Sequence, residues 1–169
     1  MAKELQEAMF WTKERNKIRC NLCVKNCLIA DGKVGYCLVR KSINGKLYSL
    51  NFDRVVAANV EAIEKKPFFH FYPNSKTLSV SCAGPTLKSQ FSEMWQVPHD
   101  RLPIVSKKNY TPEDIIAMAE KSNCRAITYT HVEPTIYFEF MFRTSKLAHR
   151  SSIKNTMVTN GYMNVEVVK

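Results

Sequence analysis

The pattern of apolar and polar residues changes near residue 76, and its two parts predict different kinds of structure. After this point, segments rich in β-branched residues alternate with longer segments of helical periodicity. The strand-like segments are KTLSVSC (76–82), RAITYTH (125–131) and NTMVT (155–159). Strands that alternate with helices of this length are typical of βαβ units on a parallel sheet. The pattern therefore predicts an α/β fold in this part of the chain.

The two predicted helices of this region have clear starting signals. Thr111-Pro112-Glu113-Asp114 places an N-cap residue, a proline at the first helical position and acids in the first turn. Pro134 opens the second helix. About three strands are too few to close a barrel. We therefore expect an open sheet edge, covered by a protein partner.

The part before residue 76 has a different organisation. Apolar residues near helical spacing predict an amphipathic helix within residues 1–17. Residues 18–75 contain four cysteines and a predicted β-hairpin, whose Asn44-Gly45 pair favours a two-residue turn with positive φ. The expected units are thus this helix, a four-cysteine region over 18–75 and a truncated β/α domain over 76–169.

Composition narrows the class of protein. Apolar residues make up 45% of the chain and charged residues 24%, as in soluble globular proteins. No apolar run approaches the roughly 18 residues of a membrane span, and the N-terminus lacks the apolar region of a secretory signal. We therefore expect no membrane association and a cytoplasmic protein. The net charge of +10 fits a solubilising surface or contact with nucleic acid.

Four of the six cysteines lie close together in the sequence, at Cys20, Cys23, Cys27 and Cys37. Without a secretory signal, metal ligation is a better interpretation of this density than disulfides. Four thiolates around one ion favour structural zinc. An iron–sulfur cluster also takes four cysteines, so it stays open as an alternative, as does a set of metal-free buried thiols.

Several motifs occur together in one order along the chain. The pattern C-x-L-C-x3-C-x9-C-x2-R over residues 20–40 is followed by NGKLYSL, IEKKPFFHFYPNS, TYTHVEPTIYFE and VTNGY. Together they resemble the AmmeMemoRadiSam-type radical SAM proteins, relatives of the pyruvate formate-lyase activating enzymes. The resemblance covers about residues 20–165 and only the N-terminal portion of the family's usual length. It implies a partial (β/α) barrel of radical SAM type with about three βα units.

In that family, a loop after the first strand resembles G-C-N-F-x-C-x-F-C-Q-N-W, and its three cysteines hold a [4Fe–4S] cluster that binds S-adenosylmethionine. In this chain Gly84, Phe91 and Trp95 match the loop. The three cysteine positions are occupied by Pro85, which has no side-chain ligand atom, and by Ser89 and Ser92, whose hydroxyls are poor iron ligands. The resemblance therefore implies a degenerate radical SAM loop.

The resemblance also implies positions that face S-adenosylmethionine. Glu133 lies where the family places a carboxylate near the methionine amino group, and Thr159 and Asn160 match a ligand-facing turn. A first-turn acid that stabilises a helix dipole and an ordinary turn are the simpler interpretations of these residues.

These observations support three hypotheses. The first is a degenerate radical SAM-like protein that keeps a four-cysteine metal site and acts by binding a partner. The second is an active or fragmentary activase-like enzyme that cleaves S-adenosylmethionine. The third is a basic zinc-binding module that contacts RNA.

Overall fold

The computed structural model describes residues 5–84 and 109–169. Within these residues the strands form three sheets with the orders β1-β6-β5, β2-β3-β4 and β7-β8-β9-β10. The first six strands are short: β1 (Gln6–Glu7), β2 (Trp11–Glu14), β3 (Lys17–Cys20), β4 (Leu28–Ala30), β5 (Arg40–Ile43) and β6 (Lys46–Ser49). The larger sheet contains β7 (Val55–Ala62), β8 (Lys76–Cys82), β9 (Cys124–Tyr129) and β10 (Lys154–Met157).

Two helices connect the parallel strands of the larger sheet, α1 (Pro112–Lys121) and α2 (Phe138–Arg150), and the short α3 (Val165–Val168) follows β10. There are also 3₁₀ turns at Ile63–Lys65 and Pro134–Tyr137. Strands β8, β9 and β10 are parallel, and β7 is antiparallel to β8. The predicted parallel strands and both predicted helices are therefore confirmed, but the second α-helix begins at Phe138 and not at Pro134, which opens the 3₁₀ turn before it. The described residues form an open sheet, and the partial barrel implied by the resemblance stays a prediction.

Strands β8 and β9 are the buried centre of this sheet, and their two faces differ in chemistry. Leu78, Val80 and Ile127 belong to one apolar cluster with side chains of α1 and α2. Thr77 and Thr128 are sequence neighbours of these apolar residues, and their hydroxyls lie 2.7 Å apart. The Thr128 hydroxyl also lies 2.7 Å from the hydroxyl of Thr156 on β10. Because side chains alternate along a strand, helix packing and hydroxyl pairing use opposite faces.

The structure describes residues 5–17 of the segment 1–17, and there the prediction of a helix is wrong. Residues 6–7 and 11–14 are strands, paired with β6 and β3. The apolar residues that suggested the helix do not form one buried face, since Ala8 is buried but Leu5 and Met9 are 44% and 36% exposed. Pairing with strands satisfies the backbone here, and tertiary contacts of this kind override a weak helical preference.

The predicted hairpin is confirmed. Strands β5 and β6 pair in antiparallel register from Arg40↔Ser49 to Ile43↔Lys46. The turn residues Asn44 and Gly45 have φ values of 50° and 75°. Positive φ at both central residues is the requirement of a type I′ turn, which explains the Asn-Gly pair.

The four-cysteine region and the β/α region share one core. The cluster of buried residues extends from Ile18 and Leu22 in the first region to Leu78 and Ile127 in the second. The predicted boundary near residue 76 falls between β7 and β8, which pair in one sheet, and the buried cluster continues across it. Among the described residues, no helix combines the length and the apolar character needed to cross a membrane.

Candidate metal centre

The four clustered cysteines come from different local structures and line one small cavity of about 20 Å³. Cys20 ends β3, Cys27 precedes β4 and Cys37 precedes β5. Cys23 lies in the loop after β3 and forms an isolated β-bridge with Met163. The structure thus brings together all four residues that the sequence proposes as metal ligands.

The cavity is a site of suitable chemistry but not a formed coordination sphere. Within residues 5–84 and 109–169, no group of three or more His, Cys, Asp or Glu side chains is arranged so that it could hold a metal ion. The four cysteines are also free of disulfides. Binding of an ion at the cavity would therefore require the sulfur atoms to move toward a common centre.

Burial raises the pKa of two of these thiols. For Cys37 it outweighs the lowering by the backbone of Val39 and the charge of Arg40 and, with a smaller contribution from Cys20 and Cys23, raises the pKa to about 12. Burial also raises the pKa of Cys23. Because metal ions bind the thiolate, an ion at this site has to displace protons from these sulfurs.

Two hydrogen bonds reach the sulfur atoms from outside the cysteine set. The Arg40 Nη1 group donates to Cys20 Sγ at 3.5 Å, and the Tyr36 backbone N–H donates to Cys27 Sγ at 3.5 Å. Both donors hold the sulfur atom that accepts from them in a fixed place. They are the kind of surrounding contact that orients metal ligands.

Arg40 also forms a buried ion pair with Glu139, in the first turn of α2. Arg40 Nη1 donates to the backbone oxygen of Met9 at 2.9 Å, and Glu139 Oε1 accepts from the Met9 backbone N–H at 2.8 Å. The guanidinium therefore joins the cysteine region to α2. Sequence reasoning missed this pair. The position of Arg40, two residues after a cysteine, was a signal, but nothing local pointed to Glu139.

Glu133 occupies the same cavity wall as the cysteines. Its Oε1 accepts from the backbone N–H of Thr135 at 3.2 Å and from the hydroxyls of Thr135 and Thr159, each at 2.6 Å. Its Oε2 accepts from the Asn160 backbone N–H at 2.8 Å. The structure thus joins the three residues matched to S-adenosylmethionine-facing positions, and it gives both carboxylate oxygens partners within the protein.

A segment near the C-terminus closes the other side of the cavity. Tyr162 lines the cavity, and its backbone oxygen accepts from the Val24 backbone N–H at 3.1 Å. The Asn164 side-chain amide donates to Asn21 O at 2.7 Å and to Asn26 Oδ1 at 2.9 Å. The loop that carries Cys23 is therefore fixed by residues more than 130 positions away in the sequence.

The remaining predicted site positions lie elsewhere. Pro85, Ser89 and Ser92 fall outside the described residues. Cys82, at the end of β8, is fully buried and belongs to the apolar cluster. Cys124 lies beside a separate surface cavity at the start of β9.

The structure defines a broad class, a mixed α/β protein with a cysteine-lined cavity. No model of a known protein family matches the chain. No solved structure matches it either. The chain is 40% identical over 169 residues to the uncharacterized protein MJ0808 of Methanocaldococcus jannaschii, an alignment that covers 98% of this chain and 50% of that protein. The chain thus spans about half the length of this relative.

Proposed function

We propose that this protein is a degenerate radical SAM-like protein that binds a metal ion, zinc in the first instance, at Cys20, Cys23, Cys27 and Cys37. It acts by binding a partner rather than by cleaving S-adenosylmethionine. The observation that carries the metal site is the meeting of four cysteines, from the end of one strand and from two loops, around one cavity. Four thiolates suit zinc in a structural role, and they also suit an iron–sulfur cluster.

The donor set suits such an ion in its chemistry, and the four sulfur atoms would have to move toward a common centre to bind it. All four side chains are thiols, and hydrogen-bond donors already reach two of them. When bound, zinc would supply a fixed tetrahedral cross-link between the loops, with no redox chemistry of its own. The four cysteines would hold it, and Arg40 would face the site from β5.

The environment of Glu133 supports the loss of S-adenosylmethionine chemistry. The Glu133 carboxylate accepts three hydrogen bonds at Oε1, from Thr135 and Thr159, and one at Oε2, from Asn160, so groups of the protein occupy most of the acceptor positions that a cationic amine would use. Glu133 is also only 3% exposed. A structural role for this carboxylate, which ties the end of β9 to the end of β10, agrees with the substituted cluster loop.

Metal analysis of the purified chain by inductively coupled plasma mass spectrometry, with an ultraviolet–visible spectrum, tests the metal site. We expect about one zinc per chain, little iron and a loss of most of the metal in Cys27→Ser. Cys124→Ser is the matched control, because this cysteine lies outside the cavity, and it should retain the metal. Zinc-free protein, or equal loss in both variants, would contradict the proposal. Stoichiometric iron with visible absorbance would assign an iron–sulfur cluster instead.

Anaerobic reconstitution with iron, sulfide, dithionite and S-adenosylmethionine tests the lost enzymatic activity. We expect no 5′-deoxyadenosine above the level of a protein-free control. Formation of this product, abolished by Ser89→Ala or Ser92→Ala, would establish the alternative of an active activase-like enzyme.

The proposed partner is a protein that adds a strand to β10. Within the described residues, β10 pairs with β9 on one side and ends the order of its sheet. Met157 and Val158 at its end are 41% and 46% exposed. A photo-crosslinking amino acid at position 157 should give a discrete cross-linked polypeptide, and one at the exposed position 69 should not. Failure to cross-link from position 157 would count against this partner.

A further inference from the structure

A buried guanidinium lies at the wall of the four-cysteine cavity, where a metal site would place negative charge. Arg40 is 1% exposed and lines the cavity with the four cysteines. Its Nη1 donates to Cys20 Sγ at 3.5 Å. A buried cation is costly unless its charge is balanced, so each neighbouring group that balances it has a measurable effect.

The protein itself balances this cation only in part. Glu139 Oε1 accepts from Nη2, and Met9 O accepts from Nη1. Among the described residues, Arg40 Nε and Glu139 Oε2 are buried without a hydrogen-bond partner. The guanidinium therefore has donor capacity beyond its pair with Glu139, on a side chain that borders the cavity.

The net charge of a bound metal and its thiolates would give the Arg40 guanidinium a partner for its remaining donor capacity. Four thiolates and one Zn²⁺ carry a net charge of about −2, which is unfavourable in a site of low polarity. An N–H···S bond from a cation stabilises such sulfur atoms, and groups around a metal site typically change metal affinity about 10–100-fold when they are altered.

We propose that Arg40 is a positioning residue of the metal site, which holds Cys20 and offsets the charge of the bound metal thiolates. This inference rests on the proposed function. Arg40 also connects the site to α2 through Glu139, so the same side chain serves the fold. The experiment has to separate these two roles.

The variant Glu139→Gln separates the role of Arg40 in the metal site from its role in the fold. It breaks the buried ion pair as Arg40→Gln does, but it leaves the guanidinium beside Cys20. Zinc affinity is measured for each folded variant by competition with a chromophoric chelator, and Co²⁺ loading reports the thiolate-to-metal absorption bands. Circular dichroism checks that each variant is folded.

We expect Arg40→Gln to weaken zinc binding at least about 10-fold and to shift the Co²⁺–thiolate bands. Glu139→Gln should bind zinc as tightly as the unmodified chain, or more tightly, because the cation loses a competing anion. Arg40→Lys keeps the charge but not the planar donor group, and it should fall between the other two. If Arg40→Gln does not fold, the comparison of Arg40→Lys with Glu139→Gln decides.

Equal zinc affinity and unshifted Co²⁺ bands in all variants would overturn the inference and leave the metal site intact. Equal weakening in Arg40→Gln and Glu139→Gln would assign Arg40 to the fold alone. If the unmodified chain binds neither zinc nor cobalt, the proposed metal site itself fails, and the role of Arg40 fails with it.

Discussion

Glu61 shows how a single carboxylate on the edge of the core is held in its charged form. It accepts from the Lys66 Nζ at 2.6 Å and from the Ser79 hydroxyl at 2.5 Å. Lys65 Nζ lies 3.7 Å away on the solvent side. The hydrogen bond from Lys66, followed by that from Ser79, lowers the pKa of Glu61 from 4.5 to about 2. Glu61 thereby fixes the 3₁₀ turn after β7 to the neighbouring strand β8.

This lowered pKa predicts a defined pH dependence of stability. The contribution of Glu61 is complete above about pH 4.5 and is lost as the pH falls toward about 2, because in this range Glu61 takes up a proton in the unfolded chain but stays charged in the folded one. It is at most about 3 kcal/mol. We expect Glu61→Gln to lower the free energy of unfolding by about 1–3 kcal/mol at pH 7, and to flatten its dependence on pH between 5 and 2. Urea denaturation across this pH range measures both effects.

Glu7→Gln is the matched control for this prediction. Glu7 also pairs with a lysine, Lys46, at 2.9 Å, but both side chains are about half exposed. Exposed pairs contribute about 0–1 kcal/mol, so this variant should keep most of the stability of the parent. An unchanged pH profile in Glu61→Gln would show that Glu61 does not carry the acid sensitivity.

At the scale of elements, the predictions that succeeded rest on local chemistry. The Asn44-Gly45 turn and the start of α1 are determined by a few neighbouring residues, and the structure confirms both. The predicted N-terminal helix failed because β2 takes its partner from β3, with Trp11 opposite Cys20. Periodicity over a short segment contains no information about such a partner. A local pattern therefore predicts a turn or a cap better than it predicts a strand pair.

The start of α1 gives a prediction at this scale. The Thr111 side chain accepts from the Asp114 backbone N–H at 3.1 Å, and Asp114 Oδ2 accepts from the Thr111 backbone N–H at 2.8 Å. Thr111→Ala removes one half of this capping box and should lower the free energy of unfolding by about 1 kcal/mol. Thr111→Ser keeps the hydroxyl and should stay close to the parent in the same urea titration. Equal loss in both variants would assign the effect to the methyl group of threonine.

At the scale of the whole molecule, the sequence predicts the cysteines of the candidate site but not its walls. The spacing of Cys20, Cys23, Cys27 and Cys37 was enough to propose a common site, because all four lie within 18 residues. Glu139 is 99 residues away from Arg40, and the contact of Asn164 with Asn26 spans 138 residues. Only the folded chain brings these residues together.

The continuous core predicts that the cysteine region and the β/α region unfold together. The chain has two tryptophans, and Trp95→Phe leaves only Trp11, on β2 beside the cysteine region. Its fluorescence then reports on the small sheets, while far-ultraviolet circular dichroism reports mainly on α1 and α2. We expect the two thermal transitions to coincide, as they do for a single cooperative unit.

Removal of zinc extends this test to the proposed metal site. An ion that binds only the folded state at about 100 times its dissociation constant adds about 2.7 kcal/mol of stability. Because the cavity wall includes Glu133 and Tyr162 from the β/α region, a chelator should lower both transitions by the same amount. A shift confined to the Trp11 signal would show that residues 18–75 form a separate unit with its own metal-dependent stability. Coincident transitions that do not change when the chelator is added would support the shared core and contradict the proposed metal site.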